Sequence, residues 1–430
     1  MRRSSWVASG LAFYAVTSLV SMAAMSVGAV VAGICILIGV GGMRGFSSAM
    51  AREWGCTSSR LYLSLSLFLA FTCALSLVGG FFFPLNYGGM EPRIHFLSDM
   101  AKTWYLFWPL VLVVGLRELT SSERIRILQI WIVAFAALSA LGIVQYFVGW
   151  PRPHLIPGNE PRHHAVMFLG HHLSVASIFI FPFFAVLDLC MKKNAERVRE
   201  NRFHLPWFFL ILAAALGFFA LLATYSRMLW VALPVGLLVL GLVSLPRRWT
   251  LATLCVICFG IWGALQIPSV SKRLNDSEGH GPRKELWAAN LEFFKRRPLT
   301  GVGWHHNLEL SGFYLQAKRH EAAGAGTGSD AIEVFSGHAH NNAIEMLSST
   351  GLLGLGAWIL WSVFVIVLLW FARKARGDWV GFSRGLCCAW LVFHLNGLTQ
   401  VNFWESKVLH QMMWMVAWTL FWVSTRNNEV

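Results

Sequence analysis

The sequence predicts an all-α, polytopic membrane protein. Of its 430 residues, 56% are hydrophobic and only 13% are charged, whereas soluble domains average about 45–50% apolar and about 25% charged residues. So few polar side chains cannot cover the surface of a soluble protein of this length. The net charge of +14 suits nucleic acid or membrane phosphate. Because polar residues are scarce, we favour membrane lipids over nucleic acid as the partner.

Twelve apolar runs provide the predicted membrane-spanning helices. A helix needs about 20 mostly apolar residues to cross the hydrocarbon core of a bilayer. Runs that approach this length cover roughly residues 6–24, 25–43, 61–83, 102–116, 127–148, 165–190, 207–223, 227–245, 250–267, 351–372, 380–399 and 407–425. The sequence therefore predicts a bundle of about 12 transmembrane helices, with one long polar segment between the ninth and the tenth.

The positions of lysine and arginine predict the orientation of this bundle, because short cytoplasmic loops carry an excess of both. With the N-terminus inside, the inner segments hold 20 of the 35 cations, the short outer loops hold six, and residues 268–337 hold the other nine. The six outer cations are Arg93, Lys102, Arg152, Arg162, Arg227 and Lys407. This asymmetry predicts cytoplasmic termini and a long segment on the opposite side of the membrane.

The long segment is predicted to be a helical insertion that divides the bundle. Helices are expected at 282–297, which Pro282 opens at a first-turn position, and at 307–323. A turn with two glycines, Pro-Leu-Thr-Gly-Val-Gly, lies between them at 298–303. The predicted organisation is a transmembrane bundle of spans one to nine, the insertion with the candidate site, and spans ten to twelve, at residues 1–267, 268–350 and 351–430.

A histidine-rich sequence precedes the tenth span. Asn341 or Asn342 can cap a short helix that ends at Gly351. His340 then lies at a helix N-terminus, where the positive end of the dipole disfavours imidazolium and leaves a neutral ring able to accept a proton. The same terminus favours a bound anion. The alternative is that His338 and His340 only satisfy carbonyl groups of the loop.

Three arginines on the outer side are candidates to bind that anion. Arg227 lies in a turn so short that its side chain must be at the membrane surface, where a cation is costly unless paired, and the nearby sequence offers no carboxylate. Arg162 precedes the sixth span, and Arg283 lies in the insertion. Guanidinium groups bind phosphate oxygens through two parallel hydrogen bonds. The alternative is that each arginine is an independent interfacial anchor.

The remaining histidines do not predict a metal site. His164 and His171 are seven residues apart, which is about 10 Å on a helix and too far for two ligands at ~2 Å from one ion. Carboxylates are absent from the turn between the first two spans, so that turn offers no ligands to a hard cation. We therefore expect no bound metal.

Several of these motifs together resemble the O-antigen ligase and polymerase superfamily. The O-antigen ligase signature is a histidine followed by Asn, Ser or Gln, then nine residues, a glycine, two residues and a Gly, Thr or Tyr. The sequence His340-Asn341, nine residues, Gly351, two residues, Gly354 is similar to it. The accompanying motifs, which span about 225–355, are Ser226-Arg227, Arg283 with Trp287, and the glycine turn at 298–303.

The resemblance implies a GT-C-like fold in the bacterial inner membrane, with a periplasmic active site and neither metal nor nucleotide cofactor. Members of this kind transfer O-antigen polysaccharide from undecaprenyl pyrophosphate to lipid A–core oligosaccharide, which completes lipopolysaccharide. His340 would be the catalytic base, with His338 as the second candidate and Asn341 orienting the base or the acceptor. Arg162, Arg227 and Arg283 would stabilise the pyrophosphate leaving group.

Three other functions remain open at this point. An O-antigen polymerase uses the same donor with a second lipid-linked chain as the acceptor, and a protein O-oligosaccharyltransferase transfers the glycan to a protein. A transporter or flippase for lipid-linked sugars belongs to a different class, in which outer arginines would bind phosphate. Transporters carry ionisable residues at mid-span, and the predicted spans have few. Direct displacement in the enzyme would invert the anomeric carbon, since no second nucleophile stands out.

Overall fold

The regular secondary structure of the protein is helical. The computed structural model describes residues 3–191, 205–266, 271, 281–324, 337–372 and 382–426, apart from residues 88, 94 and 158. Within them the helices in chain order are α1 (Arg3–Thr17), α2 (Met22–Gly39), α3 (Gly42–Gly55), α4 (Thr57–Phe82), α5 (Phe96–Ala101), a 3₁₀ helix (Lys102–Leu106), α6 (Trp108–Arg117), α7 (Ser121–Val148), α8 (His172–Met191), α9 (Trp207–Ala223), α10 (Arg227–Ser244), α11 (Arg247–Leu265), α12 (Gly281–Arg296), α13 (Asn307–Gly324), α14 (Asn342–Ala372), α15 (Ser383–Asn396) and α16 (Ser406–Arg426).

Six helices in the described ranges are long and apolar enough to cross a membrane, which confirms a polytopic, helical membrane protein. They are α2, α4, α7, α8, α10 and α14. The other predicted runs also contain helices, but α1, α6, α9 and α15 have 15, 10, 17 and 14 residues. The coarse prediction is therefore confirmed, and the count of twelve spans stays a prediction. The inner-loop cations at 192–202 and 373–376 lie outside the described residues.

The sixth predicted span begins later than its apolar sequence indicates. The predicted start at residue 165 is wrong, because α8 begins at His172. The buried side chain of Gln145 accepts hydrogen bonds from the backbone N–H groups of Val166 at 2.8 Å and Met167 at 2.6 Å. Backbone polar groups at membrane depth must be hydrogen-bonded within the protein. Here the side-chain amide of Gln145 accepts the two hydrogen bonds that helix carbonyls would otherwise accept.

The last helix, α16, forms the centre of the main core. Its residues from Val408 to Trp422 are almost all buried, including Trp414 and Trp418. A helix that is covered on every side is an interior helix. Around it pack α4, α6, α8 and α14, so the segments that frame the candidate site are held on a common support.

A second, smaller core joins α12 and α13. Leu286, Ala289 and Phe293 of α12 pack with Leu310 and residues from α13 and from the segment that follows α4. The helices predicted at 282–297 and 307–323 are confirmed as α12 and α13, with ends displaced by one residue. This small core fixes α12 and α13 relative to each other beside the start of α14.

The glycine turn at 298–303 is interlocked with α14. The N–H groups of Val302 and Gly303 donate to the carbonyls of Ser348 at 3.0 Å and Ser349 at 3.2 Å. In the other direction, the N–H of Leu352 donates to the carbonyl of Pro298 at 2.8 Å. The backbones of the glycine turn and α14 therefore lie in direct contact.

Glycine makes this contact possible at two positions. Gly351 has a φ of 67° and a ψ of −166°, which kinks α14 at the predicted end of the short helix. A Cβ atom on Gly351 would lie 2.3 Å from the carbonyl carbon of Leu299, and one on Gly301 would lie 2.3 Å from that of Ser349. Two motifs that are about fifty residues apart in sequence thus need glycine for the same reason, a close approach of two backbones.

Candidate active site

Residues 337–341, the histidine loop, are held from three sides at the start of α14. The buried Ala339 donates its N–H to Glu345 Oε2 at 2.9 Å and accepts from Trp287 Nε1 at 2.5 Å. Gly337 and the side chain of Ser311 exchange hydrogen bonds of 3.1 and 3.3 Å. Residues of α12, α13 and α14 therefore position the loop, and neither histidine is needed for that.

His340 has the properties expected of a neutral base. Its φ of 47° lies in the left-handed region, which non-glycine residues adopt rarely and often at functional positions. Burial of the ring and then the positive charge of Arg283 lower its pKa to about 4. The imidazole is therefore uncharged at neutral pH and able to accept a proton.

The surroundings of His338 shift its pKa in the opposite direction. Its Nδ1 atom lies 3.2 Å from Glu345 Oε1. Partial burial alone would lower the pKa of His338, but the hydrogen bond to Glu345 and the charges of Glu345 and Glu405 raise it above the ordinary value of 6.5. The loop thus carries one imidazole that resists protonation and one that favours it.

Arg283 and Trp287 reach the histidine loop from the same face of α12. Residues four apart on a helix point to the same side, so Arg283 acts on His340 through its charge while Trp287 holds the loop backbone. The structure therefore brings together four of the six residues selected from the sequence, which are His338, His340, Asn341 and Arg283.

The indole N–H of Trp287 is open to a direct test. In Trp287→Phe an aromatic side chain is kept, but the indole N–H is lost together with the five-membered ring that carries it. We expect a loss of stability of about 1 kcal/mol from the hydrogen bond to Ala339, with a further loss from the smaller side chain. Thermal unfolding in detergent is the measurement. Trp249→Phe, at an exposed position of α11, is the matched control and should leave the stability unchanged.

A row of histidines connects the turn before Arg227 to His340. His164 Nδ1 lies 3.0 Å from the carbonyl oxygen of Thr224, and its ring stacks on that of His172 with centroids 4.2 Å apart. The ring of His171 is 5.1 Å from that of His172, and its charge acts on His340. Arg227, as the first residue of α10, follows this turn directly.

The same contacts correct the helical spacing assumed for His164 and His171. That assumption is wrong because α8 begins at His172 and His164 lies in the preceding loop. The stacking of His164 on His172 brings together side chains that a continuous helix would separate. Among the residues that the structure describes, no group of three or more His, Cys, Asp or Glu is arranged to hold a metal ion.

Arg162 lies in the loop before His164, with its guanidinium over two aromatic rings. The distances from its Cζ to the ring centroids are 4.7 Å for Phe147 and 5.8 Å for Tyr146. Stacking on an aromatic face holds a guanidinium group by cation–π attraction and leaves its edge free to bind an anion. These contacts do not involve the histidine loop, so the part of Arg162 in the candidate site stays a prediction.

Asn341 supports the helix start. Its Oδ1 accepts from the N–H groups of Ala343 at 2.9 Å and Ile344 at 3.1 Å, and its Nδ2 donates to the carbonyl of Leu398 at 2.9 Å. Of the two candidates for the cap, Asn341 is therefore the one that caps α14. The neighbouring Asn342 is buried and bonds to Asn402. Both side-chain groups of Asn341 are engaged in the fold, which favours a positioning role.

Sequence reasoning missed four polar residues at this site, Glu345, Glu405, Lys407 and His171. Lys407 entered the sequence analysis only as one of the six outer cations, and His171 only as one of two histidines considered as metal ligands. Lys407 donates to the carbonyl of Leu169 at 2.8 Å, and its charge acts on His171 and on Glu405. A signal existed for Glu345, since a carboxylate inside an apolar helix indicates function by default.

The fold defines a polytopic, helical membrane protein. Residues 212–359, about a third of the chain, match the model of a family described as O-antigen ligase, so this part of the chain is similar to that family. The matched range contains Arg227, Arg283, His338, His340 and Asn341, whereas Arg162 precedes it. None of the curated proteins compared with the chain matches it.

Proposed function

We propose that the protein is a metal-independent, inverting glycosyltransferase that moves O-antigen polysaccharide from undecaprenyl pyrophosphate to lipid A–core oligosaccharide. The observation that carries this proposal is that burial of the His340 ring and the positive charge of Arg283 lower the pKa of this imidazole to about 4, at the start of a helix within the range that matches the O-antigen ligase family model. A base for the attacking hydroxyl and a positive charge for the leaving group are the two functions that this reaction requires.

His340 acts on the acceptor. A sugar hydroxyl has a pKa far above neutrality, so a positioned base must take its proton as the oxygen attacks the anomeric carbon. The bond from that carbon to the pyrophosphate breaks as the new glycosidic bond forms. One displacement with no covalent enzyme intermediate inverts the anomeric configuration.

The arginines act on the donor. As the anomeric bond breaks, negative charge accumulates on the pyrophosphate, and fixed cations stabilise this charge more in the transition state than in the ground state. The positive charge of Arg283 acts on His340, and we assign Arg283, Arg227 and Arg162 to the same pyrophosphate group. Apolar grooves between the membrane helices would hold the polyprenyl chain and the acyl chains of lipid A. The site would then face the periplasm, with the termini in the cytoplasm.

The choice of acceptor separates this function from its alternatives. Purified protein in liposomes receives undecaprenyl-pyrophosphate-linked O-antigen together with lipid A–core, with donor alone, or with an acceptor protein. Transfer to lipid A–core, with no product in the other two mixtures, supports a ligase. Chain extension with donor alone identifies a polymerase, and glycosylation of protein identifies an oligosaccharyltransferase. Movement of donor across the bilayer without any transfer would identify a transporter and overturn the proposal.

Arg227→Lys tests the assignment of an arginine to the pyrophosphate. Lysine keeps the charge but loses the planar pair of donors, so we expect turnover to fall roughly tenfold to a hundredfold. Steady-state transfer with donor as the varied substrate is the measurement. Arg152→Lys, which changes an exposed outer arginine, is the control and should behave like the native protein. Unchanged kinetics in Arg227→Lys would reduce Arg227 to an interfacial anchor.

A further inference from the structure

Glu345 is a carboxylate in the first turn of a helix that continues into the membrane. It is only 3% exposed. Its Oε1 lies 3.2 Å from His338 Nδ1, and its Oε2 accepts from the N–H of Ala339 at 2.9 Å. One side chain therefore holds both the ring of His338 and the backbone that leads to His340.

Stability does not explain a carboxylate at this position. Removing a charge from water costs several kcal/mol, and a well-packed apolar or amide side chain often replaces a buried ion pair without loss. The backbone N–H of Ala339 needs only a neutral acceptor. What the carboxylate adds is a fixed orientation of His338, with Nδ1–H directed to Glu345 and Nε2 left as the proton acceptor of the neutral ring. A carboxylate that orients a histidine in this way is a recurrent part of proton-transfer sites.

We propose that Glu345 is a positioning residue that holds His338 to receive the proton which His340 takes from the acceptor hydroxyl. This inference rests on the function proposed above, in which His340 is the base. Once the glycosidic bond has formed and the bond to pyrophosphate has broken, His340 carries the proton beside the cation of Arg283. Transfer to Nε2 of His338 leaves His340 neutral and converts His338 to an imidazolium paired with the Glu345 carboxylate. Release of this proton to water completes the cycle.

The charges around His338 favour this direction of transfer. Glu345 from α14 and Glu405, from the segment before α16, both stabilise its protonated form. Lys102, from the 3₁₀ helix, opposes them, and His305 and His340 interact with it as well. The two carboxylates outweigh Lys102, so the proton is more stable on His338 than on His340.

The variant Glu345→Gln tests the proposal without removing the backbone contact. The amide oxygen can still accept from Ala339, but the charge that supports the imidazolium is lost. We expect kcat to fall roughly a hundredfold with little change in KM. In the native protein His338 receives a proton only when neutral, so kcat should decline as pH falls through its raised pKa. Without the carboxylate, partial burial lowers that pKa, and the decline should move to lower pH by roughly one unit.

A double-mutant cycle with His338→Gln distinguishes proton transfer through His338 from a purely structural role of Glu345. Because the two residues act as one unit, Glu345→Gln should lower kcat little further when His338 is already glutamine. Glu321→Gln, at an exposed position on α13, is the control and should leave the pH profile unchanged. Thermal unfolding verifies that each variant is folded.

Two outcomes would overturn the proposal. One is a pH profile of kcat that does not move in Glu345→Gln, and the other is additive effects of the two substitutions. If either result is found and His340→Ala is inactive, the proposed function is retained and only the proton transfer to His338 is rejected. An active His340→Ala instead removes the base itself, so the two failures are distinguishable.

Discussion

Replacing His340 with alanine is expected to lower the rate of glycan transfer by roughly 10²–10⁴-fold while the protein remains folded. The acceptor hydroxyl loses its proton only to a positioned base, and His340 is neutral at physiological pH because burial and Arg283 lower its pKa to about 4. Alanine removes the base, but the loop keeps its bonds to Trp287, Ser311 and Glu345, none of which involves the ring of His340.

The backbone of His340 requires a second variant. Its φ of 47° is more costly for alanine than for asparagine, which tolerates left-handed backbone. His340→Asn therefore removes the base with less strain and should be equally inactive. His320→Ala, at an exposed position on α13, should be fully active. The assay is transfer from lipid-linked donor in liposomes with protein amount matched. Normal transfer by His340→Asn would show that His340 is not the base.

Gly351→Ala is expected to destabilise the protein by more than about 4 kcal/mol, a loss typical of a clash or strain that the fold cannot relieve. Its φ of 67° disfavours any side chain. The added Cβ would also lie 2.3 Å from the carbonyl carbon and oxygen of Leu299. Relief requires separation of α14 from the glycine turn, which breaks the hydrogen bonds from Leu352 and Leu353 to that turn.

The same helix offers a matched control for this substitution. A Cβ on Gly356 would meet no heavy atom within 4 Å, so Gly356→Ala should be neutral or stabilise the helix by up to about 1 kcal/mol. Both variants are compared by thermal unfolding in the same detergent. If Gly351→Ala unfolds at the native temperature, the close approach of the two backbones is not a requirement of the fold.

The sequence was most informative where one physical rule dominates. Apolar length predicts helices in a membrane, and helices α12 and α13 followed from proline, glycine and apolar spacing. These two predictions depend on residues that are close in the chain. The signature from His340 to Gly354 selected the histidine loop through a resemblance to a family, and it includes Gly351, whose need for glycine comes from the distant Leu299.

Predictions failed where distant residues decide the structure. The delayed start of α8 depends on Gln145 of another helix, which no local pattern shows. The stacking of His164 on His172 follows from that same loop. The helical pattern does not indicate the role of Glu345, because its partner His338 lies before the helix rather than on one of its faces. The spacing of apolar residues does not show which side chains will hydrogen-bond to the backbone of another segment.

The hydrogen bonds between the glycine turn and α14 limit which segments this protein can exchange with similar proteins. Ser76 of α4 donates to the carbonyl of Ser349 and accepts from the N–H of Gly303 at 3.1 Å. A helix from the first half of the chain therefore hydrogen-bonds to both the glycine turn and α14. The segment that holds α12 and α13 is therefore not an exchangeable module. A chimaera that moves residues 281–351 into a similar protein should assemble only when the recipient has a hydroxyl at the position of Ser76.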